Sequence, residues 1–102
     1  MPFNIINKAN EHLDLLCDLL TSHGLVPICV KLTDHEPATY IQVMGESQLK
    51  VHCSLFSDSE ARFSFYKNTS GIQMRLVYTG VGTRLFGKEE FFKHLYKTIN
   101  DS

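Results

Sequence analysis

The amino-acid sequence predicts an α+β fold: a two-layer sandwich, with an antiparallel β-meander of about five strands flanked by an N-terminal and a C-terminal helix packed on one face. Three observations carry this. A leucine-rich stretch near the start has helical period, the middle of the chain alternates apolar and polar residues, and a second helical stretch closes it. Helices gathered on one face of an antiparallel sheet enclose a core between two layers.

The first helix is expected from Asn7, a plausible N-cap, to about Ser22, with Gly24 as its stop. Ala9, Leu13, Leu16, Cys17 and Leu20 form one stripe, which Leu15 and Leu19 widen. Asn10, Glu11, Asp14, Asp18 and Thr21 fill the opposite side, and His12 falls inside the apolar arc as a boundary histidine. That arc is broader than one sheet contact requires. Either the helix sinks deeply into the core, or one flank is left for a partner.

Period two follows in five segments. Val26, Ile28, Val30 and Leu32 alternate with Pro27, Cys29, Lys31 and Thr33; Thr39, Ile41 and Val43 alternate with Tyr40, Gln42 and Met44. Leu49, Val51, Cys53 and Leu55 alternate with Lys50, His52 and Ser54, and Phe63 and Phe65 with Arg62, Ser64 and Tyr66. Ile72, Met74, Leu76 and Tyr78 alternate with Gln73, Arg75, Val77 and Thr79. Turn clusters separate them: Asp34-His35-Glu36-Pro37, Gly45-Glu46-Ser47, Ser57-Asp58-Ser59-Glu60 and Asn68-Thr69-Ser70-Gly71. Connections this short favour hairpins, hence a meander. The expected core is Ile28, Val30, Ile41, Val43, Leu49, Val51, Leu55, Phe63, Phe65, Met74 and Leu76. A second helix, from about Lys88 to Ile99, covers it with Phe91, Phe92, Leu95, Tyr96 and Ile99.

With 102 residues the chain fits a single α+β domain over 1–102. Its 43% hydrophobic and 21% charged content excludes a disordered chain, and a net charge of −1 gives no bulk attraction to nucleic acid or acidic membranes. Three cysteines without paired spacing point to a reducing compartment. With no basic leader and no apolar run of membrane length, a cytoplasmic location is expected.

The open face of the sheet is the chemically biased surface. Lys31, Tyr40, Lys50, His52, Arg62, Tyr66 and Arg75 are expected there, and no Asp or Glu falls in any expected strand. Cations for phosphates and rings for bases are what a sheet reading single-stranded nucleic acid offers. A solvated sheet face also fills with Lys, Arg, Ser and Thr, because acids are poor strand formers. Leu15, Leu19, Met44 and Val77 place apolar groups where a homodimer or protein partner would cover them.

Gly82-Thr83-Arg84-Leu85-Phe86-Gly87-Lys88-Glu89 has the spacing of a phosphate loop. Glu89 puts a negative charge where the metal-holding hydroxyl belongs, so the glycines are read as serving the turn into the second helix. Cysteines and histidines lack zinc-type pairing, so no metal and no cofactor is expected. Asp58 and Glu60 at a solvated hairpin tip make a poor acid–base pair. Cys29, expected on the open face, and His52 are separated by an intervening strand, so no nucleophile pair forms.

A leucine-rich helix followed by strands is similar in size and order to small secretion chaperones and immunity-type proteins, a likeness that carries no residue over. The expected function is a non-enzymatic binding or regulatory protein: an adaptor, inhibitor or immunity-type partner of another protein. The alternative is a nucleic-acid or polyanion binder using the open face.

Overall fold

The computed structural model describes residues 3–44, 46–67 and 70–101. Helix α1 (Phe3–Ser22) leads into strands β1 (Pro27–Cys29), β2 (Ala38–Val43), β3 (Glu46–Ser57), β4 (Glu60–Lys67), β5 (Ser70–Tyr78) and β6 (Thr83–Phe86), and helix α2 (Lys88–Asp101) follows. The strands form one antiparallel sheet in sequence order, β1-β2-β3-β4-β5-β6, with both helices on one face. This is the expected sandwich, with one more strand than the five alternating segments. Gly45 and Asn68-Thr69, expected in turns, lie outside the described residues.

Helix α1 begins four residues earlier than the Asn7 cap implied. Ile5 and Ile6 extend the apolar stripe backwards, and both are buried with Ala9, Leu13, Leu16 and Leu20. Burial of that stripe outweighs the weak preference of Asn7 for a cap. Chain direction reverses after Ser22 through Gly24, whose φ of 83° is a conformation other residues rarely adopt. At the other end, Tyr78 of β5 lies beneath Lys8, its ring centroid 5.8 Å from the ammonium. Further along, Asp14 pairs at 2.8 Å with Lys31, just beyond β1. Helix α1 therefore crosses the sheet obliquely from one side to the other.

Strands β2 to β5 bury the residues their alternation selected. Ile41, Val43, Leu49, Val51, Cys53, Phe63, Phe65, Met74 and Leu76 are buried, and Leu55 packs partly buried against them. Register aligns Cys53, Phe63 and Met74 across three strands, and Val51 with Phe65. Phe91 of α2 meets Phe65 edge-on at 6.2 Å. Thr39 is also buried; its hydroxyl donates to the Val30 carbonyl at 2.7 Å, so it enters the core without an unmet hydrogen bond.

The first strand contradicts its expected facing. Ile28 and Val30 are 49% and 52% exposed, and Cys29 turns inward instead. The strand is only three residues long because the chain then leaves the sheet for the helix. Asn10 of α1 receives the Leu32 N–H at 2.8 Å and donates to the Leu32 carbonyl at 3.1 Å, as a neighbouring strand would. Leu32 is thereby buried two residues after an exposed Val30, and the period-two count breaks between them. Asn10, expected on the solvated side, is part of the fold.

Candidate functional site

Two surfaces collect chemically useful groups: the open face of the sheet, and a groove between the helices on the other side.

On the open face, Tyr40 and His52 are register partners of β2 and β3, with ring centroids 4.7 Å apart. Lys50 places its ammonium 4.8 Å from the Tyr40 centroid and pairs in register with Tyr66 of β4. Burial and the Lys50 charge hold the His52 pKa below its ordinary 6.5, so this cluster carries its charge on Lys50 at neutral pH.

A second cluster spans β3 to β6. Glu60, the first residue of β4, accepts Arg62 Nε at 3.0 Å and Arg75 Nε at 2.9 Å, with Arg75 Nη2 adding a bond at 3.3 Å. Bonds from Arg75 and Arg62 hold its carboxyl below the ordinary 4.5. Arg62 lies over the Phe56 ring at 3.3 Å and Arg75 at 5.3 Å from the Phe86 centroid. Two expectations are overturned here. The sheet is not free of acids, since Glu46 and Glu60 both begin strands. Nor is Glu60 an unperturbed group at a hairpin tip: it bridges two opposed arginines that would otherwise repel each other across the ladder, offsetting half of their charge.

Other expected open-face residues move. Lys31 belongs to the helix side through its pair with Asp14, which raises its pKa. Ser64 is buried on the outer face beneath Gln73, whose amide donates to it at 3.1 Å. Cys29 faces inward near Cys17; burial first, and the neighbouring Cys29 thiol second, push the Cys17 pKa up to about 12. All three cysteines are free. Val77 is half-buried, whereas Met44 is 62% exposed. Met44 sits opposite Val26, donating its N–H to the Val26 carbonyl at 3.0 Å. With Ile28, Val30 and Tyr40, these two place apolar side chains along the β1–β2 edge, with Gln42 among them opposite Ile28. A shallow recess of about 290 Å³ opens beside it, lined by Ile28, Val30, Ala38 and Tyr40 together with the polar Glu36, Thr39 and Gln42.

The groove lies between α1 and α2, which pack on the sheet more than on each other. His12 feels the Lys88 charge, and His23 meets Tyr96 edge-on at 5.9 Å, so the two helices run side by side in the same direction. Leu15 and Leu19 form one wall, Phe92 and Tyr96 the other, and Met74 lies at the floor of a 230 Å³ cavity. The leucine flank singled out in the sequence lines this groove, whereas Met44 and Val77 belong to the sheet. His12, edge-on to Phe63 at 6.2 Å, has its pKa lowered chiefly by burial and further by Lys88 and Lys8, with Glu11 opposing.

These histidines set a pH dependence. The unfolded chain binds protons at His12 and His52 more readily than the folded chain does, so stability falls as pH drops below 6.5. Glu60 extends the loss below 4.5, because its folded carboxylate resists a proton that the unfolded chain accepts. Thermal unfolding followed by circular dichroism is expected to show Tm falling from neutral to acid pH. His12→Gln should flatten the first part of that fall, and an unchanged slope would deny His12 its share.

Among the described residues no group of three His, Cys, Asp or Glu side chains converges as a metal site requires, and no helix is long and apolar enough to cross a membrane. Compared with known proteins, the chain matches no protein family, no curated protein and no solved structure.

Proposed function

We propose that this chain is a non-enzymatic protein-binding module that docks its partner on the open face of the sheet. One observation carries the reading: Arg62 and Arg75 on that face are already paired with Glu60, while Ile28, Val30, Tyr40, Met44, Phe56 and Phe86 are exposed around them. Among the described residues of the central strands this leaves Lys50 as the unpaired cation of the face. Aromatic, methionine and arginine side chains supply contact area and anchors in protein interfaces, and internally paired charges favour a protein surface over a phosphate backbone. The partner is a different protein or a second copy of this chain. A monomer mass by light scattering across a wide concentration range would eliminate the homodimer. A reducing cytoplasm suits its three free thiols.

The test is retention of a protein partner from nuclease-treated native lysate at high salt. Wild type is expected to retain it, and Ile28→Glu with Met44→Glu to lose it, since both positions are exposed and the fold survives. Retention abolished by nuclease would overturn the reading.

The Tyr40–His52–Lys50 cluster favours the second reading, a face that stacks bases of single-stranded nucleic acid. Glu60 separates the two. Glu60→Gln releases two arginines and is expected to raise affinity for a labelled single-stranded oligonucleotide by roughly tenfold at low salt, measured by fluorescence anisotropy. If wild type already binds tightly with steep salt dependence, the nucleic-acid reading replaces the first.

A further inference from the structure

We propose that the groove between α1 and α2 is a binding site for a medium-chain carboxylate, its tail along the leucine and aromatic walls and its head at Lys88 and His12. The site lies on the side of the sheet opposite the open face, so it stands or falls independently of the protein-binding reading.

The walls dictate the tail. Leu15 is 60% exposed on a helix whose other leucines are buried or half-buried, and Tyr96 is 40% exposed across from it. Both sit over a concavity rather than on a convex surface, so an apolar chain laid between them removes apolar area from water on both sides. The volume limits the size. At 230 Å³ the cavity exceeds the roughly 150 Å³ that holds one benzene ring, and falls short of the roughly 300–1,000 Å³ of drug-sized pockets. A single unbranched chain or one ring fits, and a larger ligand does not.

The ends of the groove dictate the head. The two helices run in the same direction, which puts His12, midway along α1, and Lys88, the first residue of α2, at one end of the groove and the His23–Tyr96 contact at the other. Lys88 has no ion pair among the described residues. Glu11, the acid whose charge acts on His12, is 3.7 Å from Lys8, so its charge is partly taken up. His12 has no hydrogen bond within the described chain; its neutral ring, half-buried among apolar neighbours, keeps one N–H to donate. One ammonium and one imidazole N–H match the two oxygens and single charge of a carboxylate. A phosphate, with up to two charges and three terminal oxygens, would leave acceptors unmet there. Glu89 and Glu90, exposed in the first turn of α2, repel any anion there, a dianion about twice as strongly as a carboxylate.

Octanoate below its micellar concentration is the probe, titrated into the full chain and followed by NMR. Saturable shifts are expected at the His12 ring and at the Leu15, Leu19 and Met74 methyls, with Tyr40 and Phe56 unmoved. 1-Octanol should bind at least several-fold more weakly. Lys88→Gln should weaken octanoate by about tenfold and leave 1-octanol unchanged. Being exposed, Lys88 can be changed without loss of the fold, and Tyr40→Ala should leave octanoate binding intact. Shifts that never saturate, or that spread over the open face, would overturn the site. Equal affinity for 1-octanol, or no effect of Lys88→Gln, would overturn the carboxylate assignment.

Discussion

Phe63→Ala is expected to remove about 3–5 kcal/mol of stability, a large share of the roughly 5–15 kcal/mol that holds a small domain together. Phe63 is fully buried at the centre of β4, in register between Cys53 and Met74 and beneath the His12 ring. The His12 ring of α1 and the strands on either side close over that position, so neighbouring side chains can collapse only partly into the space left behind. The contrasting pair is Ile28→Ala and Val30→Ala. Their alternation placed them in the same core, yet both are about half exposed, and each should cost under about 1 kcal/mol. Urea unfolding monitored by circular dichroism measures all three. A near-neutral Phe63→Ala, or a loss at Ile28 as large as at Phe63, would mean that the sheet presents its other face to the helices.

The difference between those positions shows what was legible in the sequence. Strands β2 to β5 have neighbours on both sides, and each buries one full row of side chains, so alternation alone identifies their inner faces. At β1 three residues pair with β2, and the other edge of the strand is free. Its facing is decided by long-range hydrogen bonds from Asn10 to Leu32, 22 residues away, which periodicity cannot register. Strand β6 was hidden by its brevity and its flanking glycines. Glu60 was within reach: extending the β4 alternation back by two residues puts it on the face of Arg62, where the two opposed arginines call for an acid. For the groove, Leu15, Leu19 and His12 stood out as an over-wide apolar arc. Lys88, Phe92 and Tyr96 come from a helix more than sixty residues later in the chain, and only the folded arrangement brings them opposite.

Gly87→Ala should be nearly as damaging as the loss of a core side chain, at about 2–4 kcal/mol. Gly87 joins β6 to α2 and has a φ of 76°, a conformation that costs a residue with a side chain on the order of 1–2 kcal/mol. A methyl group there would also stand 2.8 Å from the Gln73 carbonyl oxygen of β5, and that oxygen belongs to a paired strand with little room to retreat. The position is tight because β6 stays on the ladder up to Phe86, opposite Arg75, and the chain must then leave β5 at once to begin α2. The Gly87 carbonyl accepts the Phe91 N–H at 3.0 Å, so the same residue starts the helix. Gly82, the other glycine of the phosphate-loop spacing, has no positive φ and meets nothing within 4 Å of an added methyl. Gly82→Ala should therefore be neutral or slightly stabilising, because it narrows the unfolded ensemble without straining the fold. A phosphate loop would need both glycines for close approach to its ligand. A strand-to-helix junction needs only Gly87, and chemical denaturation of the two variants tells these apart. Equal losses at Gly82 and Gly87, or a neutral Gly87→Ala, would contradict the junction geometry.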